Sequence, residues 1–159
     1  MQPTNMDQPD ALETDKVTVR HMAERDLDAI VKIDATITGC ARKEYYQQKH
    51  KAALHETGVK ISLVAELEGF VAGFLMGSVY YGEFGRVEPT AVIDTVGVAP
   101  DYRNRHVGHA LMRQLLMNLR GLRVEKVQTQ VDWNEWELLQ FFMRQGFQPV
   151  PRLCLEFRL

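Results

Sequence analysis

The stretch from Val96 to Leu119, VGVAPDYRNRHVGHALMRQLLMNL, constrains the fold of this chain more than any other. A short apolar run stops at Pro100, a loop carries Arg103 and Arg105, and the chain turns at Gly108. Leu111, Met112, Leu115, Leu116 and Leu119 then recur at the spacing of one helix face. This predicts strand, basic loop and helix in succession, a unit found in sheets flanked by helices. A helix start leaves N–H groups without intrahelical partners at the positive end of its dipole. Two arginines beside it predict an anion site, and phosphate is the anion that best suits such a turn.

Other elements fall on either side of this unit. Residues 1 to about 15 are polar, carry Pro3 and Pro9 and lack periodicity, so they are expected to form a disordered lead-in to one domain over 16–159. Val17 to Arg20 alternates as a first strand. Asp26 is expected to cap a helix carrying Leu27, Ile30, Val31 and Ile33, and Gly39 breaks the pattern. A more polar helix is expected from about Lys43 to His55, ended by Gly58. Ile61–Leu67 and Phe70–Tyr80 read as a hairpin joined at Glu68-Gly69. Ala91–Val98 is the next strand, and Gly121 is placed just past the helix that follows it. Val124–Asp132 is a fifth strand. Asn134 is then expected to cap a last helix with Trp136, Leu139, Phe142 and Met143 as its buried stripe, and Leu153–Leu159 reads as a final strand. The order β-α-α-β-β-β-α-β-α-β predicts a mixed, largely antiparallel sheet with helices on both faces.

Asp94 is the most informative polar residue. Simple alternation places it on the face of Val92 and Val96, inside an apolar strand that runs straight into the basic loop. A carboxylate there must be paired, hydrogen-bonded or protonated. Two readings stand: a structural partner for a nearby donor, or a proton acceptor close to the reactive end of a bound cofactor.

Arg105-His106-Val107-Gly108-His109-Ala110 fits Arg/Gln-x-x-Gly-x-Gly/Ala. It is preceded by Val96-x-Val98-x-Pro100-x-Tyr102-Arg103 and followed by Asn134 and by Phe141-Phe142-x-x-x-Gly146-Phe147. Together these cover about the C-terminal 70 residues, and they resemble the GNAT superfamily of acyl-CoA-dependent N-acyltransferases. The resemblance implies that the loop from Arg103 through Asn104, Arg105, His106, Val107, Gly108 and His109 to Ala110 grips the pyrophosphate of coenzyme A. It also implies that a bulge around Val96, Gly97 and Val98 frees main-chain groups for the pantetheine arm, Gly97 suiting a close approach of ligand to backbone. Asn104 and His106 stand where the family often has glycine, and both residue types tolerate left-handed backbone. Asn134 matches a cofactor-contacting asparagine while also suiting a helix cap.

Activity implied by the resemblance is acetyl transfer from acetyl-CoA to a primary amine by direct attack in a ternary complex. An alkyl ammonium has a reference pKa near ~10.4, so only about one molecule in ~10³ is neutral at pH 7 and a base is useful. Asp94 is the first candidate and Asp132 the second. The family often places a tyrosine, as general acid, at the position of Phe142. Release of an unprotonated thiolate costs only about 2 kcal/mol at pH 7, and Tyr80 or Tyr81 are alternative donors. The helix pair carrying Arg42, Tyr45 and Tyr46 corresponds to one wall of the family's acceptor site. Tyr80, Tyr81, Phe84 and Trp133 add aromatic surface for an apolar or cationic acceptor. The acceptor is a small-molecule amine or a protein N-terminus or lysine, and a homodimer is left open. The rival reading is an acyl-CoA-binding sensor or scaffold of the same fold without turnover, which the phenylalanine at 142 favours.

Composition narrows the partners. A net charge of −2 over 159 residues gives no sign of nucleic-acid binding. His106 and His109 lack a third ligand, so no metal is expected. Cys40 and Cys154 lie far apart with no zinc or disulfide spacing. The polar start and the lack of a long apolar run predict neither membrane span nor secretory signal, hence a cytoplasmic protein.

Overall fold

The computed structural model describes residues 16–56 and 59–159. The expected lead-in and Gly58 lie outside them. The elements are β1 (Thr18–His21), α1 (Leu27–Thr38), α2 (Lys43–Lys51), β2 (Leu63–Leu67), β3 (Phe70–Tyr80), β4 (Thr90–Val98), α3 (Val107–Gly121), β5 (Lys126–Thr129) and α4 (Trp136–Arg144). Among the described residues these strands form one sheet in the order β1-β2-β3-β4-β5. All neighbours are antiparallel except β4 and β5, which run parallel, Thr90 beside Lys126 and Ile93 beside Thr129. Parallel neighbours need a long crossover, and α3 supplies it.

Helices cover both faces. On one, Ile30 and Ile33 of α1 and Tyr46 of α2 pack on Val64, Phe74 and Met76. On the other, Val107, Leu111, Met112, Leu115 and Leu119 of α3 pack on Leu63, Ala65, Leu75, Ala91 and Ile93, with Phe142 of α4 joining them. The hairpin turns through Glu68 and Gly69, both at positive φ as a two-residue turn requires.

Several expectations are corrected. Asp26 occupies the start of α1 but makes no side-chain cap. It is only 2% exposed, and its carboxylate accepts two 2.8 Å bonds from the Arg20 guanidinium and one of 2.7 Å from the Ala23 N–H. Arg20 also donates to Glu66 at 2.6 Å, tying β1 to β2 and to the entry of α1. Gly121 lies within α3, and Arg123 takes the left-handed conformation beyond it. In α4 the buried stripe is Leu138, Phe141 and Phe142, while Trp136 and Met143 face solvent. Asn134 is two residues before the helix, in a turn closed by the Glu135 N–H to Asp132 carbonyl bond of 3.0 Å, and does not cap it. Residues 153–159 form no strand.

The strand pair at the centre is the feature that positions the site. Met76 faces Thr95 and Gly77 faces Ile93, so Asp94 opposes no residue and is the extra residue of a β-bulge. The bulge re-phases the strand. Ala91 and Ile93 face α3 before it, Val96 and Val98 after it, and Asp94 leaves the alternation that would have set it in line with Val96. Gly77 makes this possible. A Cβ there would stand 2.5 Å from the Val92 carbonyl oxygen and 3.1 Å from Ile61 Cδ1. Gly77→Ala is therefore expected to lower stability by about 1–3 kcal/mol. Thermal denaturation checks this, and an unchanged midpoint would show that the strands part there without cost.

Candidate active site

Beyond Ile93 and Thr129 the pairing of β4 with β5 ends, while β4 continues to Val98. The expected release of main-chain groups at Val96–Val98 is thus achieved differently from the bulge foreseen there. Those residues stay in regular register with Leu75, Phe74 and Gly73, and it is their other edge that is open because β5 does not follow. Gly97 is small for an internal reason, since a Cβ on it would meet the Phe74 ring at 2.7 Å.

The open edge leads into the basic loop. Pro100–Tyr102 makes a short turn, Asn104 and His106 both take positive φ (60° and 61°), and α3 begins at Val107 with no side-chain cap. Left-handed residues in alternation point successive N–H groups toward one concavity, and the uncapped helix start adds its own. Arg103 reaches Glu137 of α4 at 4.0 Å, and Arg105 reaches Glu68 of the hairpin at 2.9 Å while its guanidinium lies 5.6 Å from the Tyr102 ring centre. Both ion pairs are exposed and so weak, and an incoming anion can take either arginine at little cost. Gly108 is no turn residue. It lies in the first turn of α3, where a Cβ would stand 2.9 Å from Phe141 Cε2, so its smallness lets α3 and α4 close together. His109 serves the same contact, its Nδ1 lying 3.1 Å from Gln145 Oε1. Val107 and Ala110 are buried. The donor set fits a diphosphate: two arginines, the uncapped helix start and an open strand edge in line with it.

Asp94 borders a cleft of about 390 Å³ lined by Lys49, Ala52, Ala53, Ser62, Met76 to Tyr80 and Asp94. The size suits a small molecule. Asp94 is partly exposed, and its Oδ2 lies 3.5 Å from Lys49 Nζ. Ser62 Oγ accepts the Gly77 N–H at 3.2 Å and so holds the strand opposite the bulge. Lys49 was not foreseen. Its signal was present in the spacing, since Tyr45, Lys49 and Ala52 share one face of α2 and its continuation.

Of the other sequence-derived residues, Tyr80 lines the same cleft and the rest lie outside its lining. Tyr46 is in the core, its hydroxyl donating to Asp34 at 2.9 Å, and burial, reinforced by the Asp34 charge, pushes its phenol well above the usual range. Arg42 forks onto both carboxylate oxygens of Asp34 and lies 5.3 Å from the Tyr45 ring centre. It joins α1 to α2 while its side chain stays exposed like that of Tyr45, and of the three only Tyr46 is buried. Tyr80 faces Thr90, four residues along β4 from Asp94, at the end away from the basic loop. Tyr81, Phe84 and Trp133 are exposed. Trp133 follows β5 toward the loop, so it does not join Tyr80. Asp132 is exposed after β5, its carbonyl accepting the Glu135 N–H. Phe142 is buried against Phe141 and Phe147 and does not line the cleft. Among the described residues no group of three or more metal-ligating side chains occurs, and no helix is long and apolar enough to cross a membrane.

Comparison with known proteins agrees with this fold. A transcriptional regulator from Bacillus halodurans superposes with a TM-score of 0.73 at 20% identity, over 90% of this chain and 99% of that one. Ard1 from Thermoplasma volcanium gives 0.69 at 24%, over 84% and 83%. The aminoglycoside N-acetyltransferase AAC(6')-Iy, solved in complex with CoA, gives 0.74 at 14%, over 89% and 94%. At such identities these likenesses establish the fold. Residues 20–147, most of the chain, match the model described as the acetyltransferase (GNAT) family, and the chain belongs to that family.

Proposed function

We propose that this chain, as one catalytic domain over residues 16–159, is an acetyl-CoA-dependent N-acetyltransferase that acts on the primary amine of a small molecule by direct transfer in a ternary complex. The observation that carries the reading is the position of Asp94. It is an accessible carboxylate lifted out of a strand by a bulge, between an amine-sized cleft and the open edge that leads to the anion loop. Bound acetyl-CoA supplies the activated acyl thioester. Arg103, Arg105 and the N–H groups from Asn104 to Ala110 hold its pyrophosphate, and Asn134, free of capping duty, adds a side-chain contact. Main-chain N–H groups along Val96–Val98 orient the pantetheine arm and donate to the oxygen on which charge develops. Asp94 accepts the ammonium proton, directly or through one water, and the neutral amine then attacks. Lys49 competes with the ammonium for the same carboxylate and must swing aside as it enters. Asp132 is the reserve base. Tyr45 and Tyr80 flank the acceptor. No hydroxyl is offered from position 142, so the second proton, shed by the nitrogen as the amide forms, would pass through solvent to the departing sulfur. Cys40 and Cys154 are free and exposed, which suits the reducing cytoplasm.

The buried phenylalanine at 142 and the Lys49–Asp94 pair favour a second reading, a domain that holds acyl-CoA without turnover. Calorimetry with coenzyme A and a thiol-release assay over small amines and peptides decide between them. Binding at micromolar levels with release on a small amine is expected, and Arg105→Ala should weaken binding about tenfold, the worth of a charge-assisted bond. Binding without release on any acceptor establishes the second reading, and no binding at millimolar levels removes both.

A further inference from the structure

The cleft beside Asp94 holds one charge of each sign. Lys49 Nζ lies 3.5 Å from Asp94 Oδ2, and the two side chains are 37% and 27% exposed. An ion pair so open to water is worth little and parts readily. Among the described residues no other charged side chain lines the cleft. Ala52, Ala53, Met76 and Val79 give it apolar walls, and the half-buried Ser78 adds a hydroxyl.

An ammonium that takes Asp94 therefore strands the Lys49 cation. No second carboxylate in the lining can receive it, and two like charges a few ångströms apart repel. Swinging Lys49 into water relieves part of the repulsion but gains no partner. A plain amine bears that cost, whereas an acceptor that brings its own anion turns it into a second ion pair.

We infer that the acceptor is a free α-amino acid with an apolar side chain, selected by Lys49, which takes the α-carboxylate while Asp94 takes the α-ammonium; this rests on the transferase reading of the same cleft. Ammonium and carboxylate sit on one carbon of such a ligand, so its charges lie as close together as the two protein charges that they separate. The flexible four-carbon stem of Lys49 lets Nζ back away to admit them. At about 390 Å³ the cleft is near the lower end for ligand sites, which suits one amino acid better than a polyamine of several rings. A lysine side chain or a peptide N-terminus carries no carboxylate beside its amine and gains nothing from Lys49. The transfer forms the C–N bond of an N-acetyl amino acid and breaks the C–S bond of the thioester. One ammonium proton passes to Asp94 and on to solvent, and the second reaches the departing sulfur through solvent.

Leucine and phenylalanine, each beside its decarboxylated amine (isoamylamine and phenethylamine), test this on the wild-type protein and on Lys49→Met. Thiol release from acetyl-CoA reads turnover. Calorimetry in the presence of coenzyme A, from which no acetyl group can move, reads binding. Wild-type protein should use at least one of the amino acids with a kcat/KM about tenfold to a hundredfold above that of its paired amine, the worth of a charge-assisted bond. Lys49→Met should raise KM and Kd for that amino acid by the same factor and raise kcat/KM for the paired amine, whose competitor for Asp94 has gone. A lysine with only a structural role would move both substrates in one direction, and that result overturns the inference. So does a wild-type enzyme that uses the amines as well as the amino acids, which leaves the transferase reading in place. Amino-acid binding that is weakened in Lys49→Met, with no thiol release on any acceptor, supports the amino-acid site and removes the transferase reading. Neither binding nor acetylation of either amino acid overturns the inference, whatever other amines are acetylated. If Lys49→Met does not fold, the wild-type comparison decides alone.

Discussion

Asp94→Asn is expected to lower kcat by about 10²–10⁴-fold, the range that a positioned general base contributes. The KM for acetyl-CoA should stay within about twofold, because the diphosphate and pantetheine contacts lie further along the chain, from Val96 to Ala110, and an interaction used only in the transition state appears in kcat. Asparagine keeps the size and the bulge but cannot accept a proton at neutral pH. Steady-state kinetics over pH 6–10 adds a second readout. If the base is lost, the residual rate should climb with pH as the free amine fraction grows tenfold per unit. A variant that keeps wild-type kcat, or one whose only defect is a raised KM for acetyl-CoA, would move the base elsewhere. Asp132→Asn is then the next substitution to measure.

The largest loss of stability is expected at Asp26. Its carboxylate is buried, and removing it takes two of the bonds of the Arg20 guanidinium, which then keeps only Glu66 and the His21 carbonyl, and leaves the Ala23 N–H without that partner. Breaking a buried pair from one side costs about 3–5 kcal/mol, so Asp26→Ala should drop the melting midpoint by roughly 6–20 °C for a chain of this size. Burial alone would push the Asp26 carboxyl up. The bonds from Arg20 and Ala23 outweigh it and hold the group below the usual carboxylate range. A carboxyl lowered in the folded state gives stability that is fully present above its unfolded pKa near ~3.9 and lost as pH falls through its folded value. Wild-type protein should therefore lose more stability than Asp26→Ala on acidification below about pH 4. Parallel acid melts would disprove the linkage.

Much of the fold was legible because it rests on local rules. The 3.6-residue pattern from Leu111 to Leu119, the Glu68-Gly69 turn and the breaks at Gly39 and Gly146 each declare an element within a few residues. The basic loop that leads into α3 was legible for the same reason, since Arg103, Arg105 and a helix start are neighbours in sequence. Features that failed depend on partners far along the chain. Asp26 is a plausible cap until Arg20 and Glu66 meet it, and Asn134 is one until α4 is seen to begin two residues later. Tyr46 reads as a site residue until it is found buried on Asp34. The apolar residues of β4 did carry a clue to the bulge. Ala91 and Ile93, then Val96 and Val98, are two alternating pairs separated by a step of three, which only an extra residue reconciles. Lys49 was missed because nothing near it in sequence names Asp94 as its neighbour. The last strand failed for the opposite reason: its alternation is complete, but a pattern does not supply a pairing partner, and residues 153–159 form no strand.

The kink at Asp94 divides its strand into two independent stretches. Substitutions between Thr90 and Ile93, and on the facing stretch from Gly77 to Tyr80, reshape the acceptor end and leave the Val96–Val98 rail in register. On the proposed function, one amine can therefore be exchanged for another without rebuilding the grip on the acyl carrier, provided that the glycine across the kink is kept.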